Sequence, residues 1–121
     1  MSTLEAFSIS DAAADDDTTV VSVAGEIDME TGPSFRRGLL HALGAGRGGL
    51  IVDLSNATFL DSAALTSLVN AFDELRRAGG GTLAIVATDS RMRALFDVAR
   101  LDRDFRIFDT RADALAALDS A

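Results

Sequence analysis

The sequence predicts a single α/β domain: a mixed, mainly parallel sheet with about four helices and an N-terminal hairpin. Three observations carry that expectation. Strand-like and helix-like runs alternate from Thr18 to the C-terminus. Two runs, "LIVDL" and "TLAIVA", are continuously apolar, as strands buried on both faces are. Two strand-like runs stand back to back before the first helix, which calls for a hairpin.

The elements follow in order. Leu4, Phe7 and Ile9 make a weak first strand, and Thr18 to Ile27, "TTVVSVAGEI", is a β-branched second strand ending near Gly25 and Asp28. Between them Asp15, Asp16 and Asp17 read as a solvated hairpin loop; three successive carboxylates do not converge on one cation without a shaped loop. In "TGPSFRRGLLHALGAG", Pro33 occupies an N1-type position behind Thr31 or Gly32, and Phe35, Leu39, Leu40 and Leu43 recur at helical spacing. "LIVDL", Leu50 to Leu54, should be central in the sheet.

Leu65, Leu68, Val69, Phe72 and Leu75 then give a second helix up to "AGGG". "TLAIVA" is the next strand, and "DSRMRALFDVARL" is a third helix capped by Asp89 or Ser90, with Met92, Leu95, Phe96 and Ala99 inward. "FRIFD" and "TRADALAALDSA" supply a last strand and helix. Strands alternating with helices pair in parallel through right-handed crossovers. Ligands of such sheets gather outside the carboxyl ends of the strands, where "GEIDMETGP", "SNATFLDSA" and "TDSRM" are read as loops.

Composition excludes several function classes. A net charge of -8, with Arg as the only strong base, argues against nucleic acid and anionic membrane surfaces as partners. No Cys is present for a thiolate site or nucleophile, and the lone His41 cannot build a zinc shell, so it reads as a half-exposed helix residue. The glycines of "GAGRGG" follow a helix and precede a strand, the wrong order for a phosphate-cradling loop. No cofactor or metal is expected. The N-terminus lacks the regions of a signal peptide, and no apolar run approaches the ~20 residues of a membrane span, so a cytoplasmic protein is expected.

The informative stretch is "NATFLDSAAL", Asn56 to Leu65, where a strand gives way to a helix. A helix start needs one capping oxygen, and Asp61 or Ser62 could each supply it. Ser62 resembles a hydrolase elbow nucleophile only in outline, because Leu60 and Ala64 replace the glycines of G-x-S-x-G and His41 lies upstream.

Taken together, "VAGEIDMET", "LIVDLSNATFLDSAALTSLVNA" and "GGGTLAIVATDSRMRALFDVARLDRDFRIF" resemble the STAS domain of bacterial anti-sigma factor antagonists. The family motif D-L-S-x-x-x-F-x-D-S-S-G-L is matched at Asp53, Leu54, Ser55, Phe59, Asp61, Ser62 and Leu65, and G-E-[LI]-D at Gly25 to Asp28. "FDVARL" resembles the segment before the family's last strand. The resemblance covers nearly the whole chain, so residues 1–121 are read as one STAS domain.

The resemblance implies a regulatory switch rather than an enzyme. An anti-sigma factor that is itself a serine kinase would phosphorylate Ser62, and a metal-dependent serine phosphatase would reverse the mark. The unmodified form would capture the kinase and free a sigma factor, while Asp61 caps the helix and leaves the Ser62 hydroxyl available. Asp28, Thr31, Asp61, Ser62, Ala63 and Thr66 are the expected partner-binding residues. Asp28 is expected to be a surface residue with little effect on stability. Ala63 and Ala64 replace the motif's second serine and glycine, and Ala64 should add a methyl where a partner's backbone approaches. The rival role is a non-phosphorylated interaction subunit of a lipid-transport or stress-signalling complex.

Overall fold

The computed structural model describes residues 7–78, 81–98 and 105–119. Its elements run β1 (Ser8–Asp15), β2 (Thr18–Ile27), α1 (Gly32–Leu43), β3 (Gly49–Leu60), α2 (Ser62–Arg77), β4 (Thr82–Val86), α3 (Ser90–Val98), β5 (Arg106–Phe108) and α4 (Arg111–Asp119). The sheet order is β1-β2-β3-β4-β5, with β1 antiparallel to β2 and the other pairs parallel. Leu50 to Leu54 are central, as their unbroken apolarity requires. Leu4, Gly79, Gly80, Ala99, Arg100 and Leu101 lie outside the described residues.

Alternation along the strands sorts the core into two unequal layers. Val21, Val23 and Ile27 of β2 and Leu50, Val52 and Leu54 of β3 face α1, α2 and α3, which bury Phe35, Leu39, Leu68, Leu75, Met92 and Phe96 against them. On the other face α4 alone covers Val20, Ile51, Ala84 and Val86, through Ala114 with Leu115 and Leu118. Three helices therefore seal one face, and one short helix is fastened to the other.

Two sequence expectations need correction. The hairpin is tighter than a three-aspartate loop: Asp15 pairs with Thr18 at the end of β1, leaving Asp16 and Asp17 as the turn. The Asp15 carboxylate accepts the Asp17 N–H at 2.8 Å, an Asx-type lock that engages it with backbone. Residues of low strand propensity, Asp11 to Ala14, are thus strand, because pairing with β2 outweighs local preference.

The second correction is at the functional pole. "SNATF" is not loop but the continuation of β3, which runs on to Leu60. Its pairing with β2 slips twice, from Ser22↔Asp53 to Ala24↔Asn56 and from Gly25↔Ala57 to Glu26↔Phe59. Each slip inserts one extra residue in β3, and such bulges break the period-2 pattern that marks a strand in sequence. At the second, Gly25 has φ +85°, a left-handed conformation that glycine adopts without a Cβ clash. β4 ends opposite Asp53, so the outer halves of β2 and β3 project beyond it. The candidate site sits at the tip of that projection.

Candidate functional site

The site is assembled where β2 and β3 end together. Ile27 pairs with Leu60, and the Asp61 N–H donates to the Ile27 carbonyl at 3.0 Å, holding the start of α2 against the end of β2. Asp61 is extended, with φ -86° and ψ 176°, and its Oδ1 accepts the Ala64 N–H at 2.9 Å. Asp61 is therefore the N-cap. One capping oxygen suffices, and Ser62 is free of that duty: it is exposed at the first helical position, and its hydroxyl has no hydrogen-bond partner among the described residues. Unpaired first-turn amides and the positive end of the helix dipole lie beside it, a setting that tolerates added negative charge.

The neighbouring positions divide by burial. Ala63 is exposed, whereas Ala64 is 1 % exposed and belongs to the core beneath α2. The expectation that the Ala64 methyl meets a partner is thus corrected: it points inward, because the Asp61 cap sets the helix phase so that Ala64, Leu68, Ala71 and Leu75 form the buried stripe. Thr66 is exposed one turn on, but its hydroxyl donates to the Ser62 carbonyl at 3.1 Å.

Asp28 and Thr31 form the adjoining turn and hold each other. Asp28 Oδ1 accepts the N–H groups of Glu30 at 2.9 Å and Thr31 at 3.1 Å. The Thr31 hydroxyl donates to the Glu26 carbonyl at 2.7 Å and accepts the Asp28 N–H at 2.9 Å. The backbone hydrogen bond from Thr31 holds the Asp28 carboxyl below its ordinary range, against the opposing effect of desolvation. Asp28 is therefore a turn-forming residue, which corrects its reading as one without effect on stability. The side chains that leave this turn for solvent are Met29, 89 % exposed, and Glu26 and Glu30. Phe59, re-aimed by the bulge beside Glu26, is 47 % exposed. Met29 was not singled out from the sequence, since only the turn geometry reveals an unpartnered apolar side chain.

Asp53 and Ser55 of the D-L-S element serve elsewhere. Asp53 is 7 % exposed on the α4 face. Burial works to raise its pKa, but the Ser55 hydroxyl at 2.6 Å, the Arg111 guanidinium and the Ser55 N–H at 2.9 Å together hold it below its ordinary value. Arg111 also donates to the Ser22 hydroxyl at 2.6 Å, so the cluster ties the start of α4 to β2 and β3. His41, on the outer surface of α1, lies 2.6 Å from Asp11 and links that helix to the edge strand. Among the described residues no three His, Asp or Glu side chains are placed to hold a metal ion. None of the described helices is long and apolar enough to cross a membrane.

The STAS domain profile matches residues 10–114. A relative from Mycobacterium tuberculosis, the anti-sigma-F factor antagonist RsfB, is 30 % identical over 99 residues, 82 % of this chain and 80 % of its own length. The crystal structure of an anti-sigma factor antagonist from Mycobacterium paratuberculosis superposes with a TM-score of 0.85 at 30 % identity, over 94 % of this chain and 95 % of that one. The phosphorylated Bacillus cell fate determinant SpoIIAA gives 0.69 at 19 % identity, over 91 % and 98 %, a likeness of fold alone.

Proposed function

Because the chain belongs to the STAS domain family, we propose that it is an anti-sigma factor antagonist in which the Ser62 hydroxyl is the regulatory phosphorylation site. The observation that carries the reading is the division of labour at the start of α2: Asp61 caps the helix and Ser62 keeps an exposed, unengaged hydroxyl. In this reading the unmodified protein captures a serine-kinase anti-sigma factor in the cytoplasm and frees a sigma factor. Phosphorylation of Ser62 by that kinase ends the complex, and a serine phosphatase restores it. The chain acts as substrate and ligand, not as catalyst.

The local chemistry supports both states. A phosphoryl group adds about -1.5 to -2 charge beside unpaired amides at a helix N-terminus, where the fold accommodates it. In a desolvated interface the same charge meets the anionic phosphates of the bound nucleotide, and like-charge juxtaposition there costs several kcal/mol. Asp28, Thr31, Asp61, Ser62, Ala63 and Thr66 frame the contact, with Asp28, Thr31 and Asp61 acting through the backbone they hold and Ser62 and Ala63 presented outward.

Incubation with the cognate kinase and ATP should place phosphate on Ser62, read by mass spectrometry; modification of Ser55, Thr58 or Thr66 instead would remove the assignment. A loss of roughly 2 to 4 kcal/mol on phosphorylation corresponds to about a 30- to 700-fold fall in affinity. Ser62→Asp should weaken binding less than the phosphate does, and Ser62→Ala should bind at least as well as the parent. Equal affinities for all three would leave the role of a non-phosphorylated interaction subunit.

A further inference from the structure

We infer that Met29 and Phe59 are the apolar anchors of the partner contact, entering sockets on a kinase surface that carries Arg or Lys side chains opposite Glu26 and Glu30. The inference rests on the switch reading above and specifies which surface the partner must present. Among the described residues the large apolar side chains left exposed are Met29, Leu40, Phe59 and Val98; of these four, Phe59 lies on the end of β3 that leads into Asp61, and Met29 lies in the turn that follows β2. Phe59 is register partner to Glu26, and Met29 follows Asp28 directly, so both belong to the pole where β2 and β3 end and α2 begins with Ser62.

Neither exposure is a loose loop's accident. Met29 stands on a turn fixed by the Asp28 and Thr31 hydrogen bonds and by the Gly32 N–H donating to the Asp28 carbonyl at 2.7 Å. Phe59 stands on a strand bulge, a device that re-aims a side chain. Anchors on fixed backbone lose little backbone freedom on binding, so the ordering cost that remains is that of the side chains themselves.

Charge complementarity identifies the occupant. Glu26 and Glu30 are exposed, and no cationic side chain among the described residues pairs with either. An apolar pair bordered by unneutralised carboxylates, on a protein of net charge -8, fits a socket rimmed by cations and repels an acidic partner. On the switch reading the exposed Ser62 hydroxyl must meet the kinase's phosphoryl donor, which is anionic. A charge added on Ser62 thus opposes binding even though the carboxylates around it favour it.

The test uses the full chain and the kinase-type anti-sigma factor of the same genome that phosphorylates it. Met29→Ser and Phe59→Ser should each weaken binding by about 10- to 100-fold, as truncated interface anchors do, with the Met29→Ser melting temperature unchanged. Glu26→Gln with Glu30→Gln should flatten the dependence of affinity on salt. If the parent binds and Met29→Ser binds equally well, or if the paired Gln variant keeps the parental salt dependence, the inference is overturned while the switch stands. If no such kinase binds the parent, the switch itself fails. A Phe59→Ser variant that melts early would transfer the decision to Met29→Ser, whose side chain supports nothing in the fold.

Discussion

Asp61, Ser62, Ala63 and Ala64 are consecutive, yet the first caps the helix, the second keeps a free hydroxyl, the third faces outward and the fourth is core. The family motif's glycine is Ala64 here, and its methyl is buried. Ala64→Gly should therefore destabilise the fold by about 1–2 kcal/mol, from helix propensity and lost burial, and leave partner affinity unchanged. Chemical denaturation combined with a binding titration reads both. Asp28→Ala removes the acceptor for two backbone N–H groups and should lower the melting temperature as well as weaken binding through the displaced turn. Asp28→Asn, which keeps an acceptor oxygen, should restore most of the stability. A melting temperature unchanged in Asp28→Ala would show that the turn holds without it.

At the scale of elements, α4 depends on Asp53 and Arg111, since its apolar contact with the sheet is small. Removing one partner of a fully buried pair costs about 3–5 kcal/mol, but the Arg111 side chain is 54 % exposed, so Arg111→Ala should cost about 1–2 kcal/mol. The acid side adds a second readout. Asp53 and Asp28 have folded pKa values below the 3.8 of an unfolded aspartate. Their contribution is present above that pH and is lost as pH falls through the lower folded values. Arg111→Ala takes away one cause of the Asp53 depression, so its stability should fall less between about pH 5 and pH 2 than the parent's, followed by urea titration at each pH.

Across the whole molecule, burial predicts a gradient of local stability. Leu50 to Asp53 are paired on both sides and covered on both faces, whereas β1 is an edge strand with mostly exposed side chains. Amide hydrogen exchange should be slowest in Leu50 to Asp53 and fastest in β1. Equal protection in β1 would mean that the hairpin opens only with the core. The same construction keeps the functional pole rigid: the extended tip of β2 and β3 is anchored on the most protected strand, so added charge at Ser62 should change what binds and leave the core as it is.

Order and type of the elements from Thr18 onward were legible in the sequence, though not the extent of β3, because buried parallel strands must be continuously apolar and the helices between them must carry one apolar stripe. Asp61 and Ser62 were legible as a helix start with two candidate oxygens, from the residue types alone. What only the tertiary structure decided depends on partners distant in sequence. The bulges that carry β3 through "SNATF" arise from its register with β2 and disturb the very periodicity that reveals a strand. The choice of Asp61 as cap follows from its N–H meeting the Ile27 carbonyl, on a strand separated from it by the whole of α1 and β3. That choice sets the helix phase that sends Ala64 inward and leaves Ser62 out. Exposure of Met29 and Phe59, and the tie from Asp53 to Arg111, likewise exist only once separate segments are brought together, because burial and pairing are properties of the assembled sheet and not of any local run of residues.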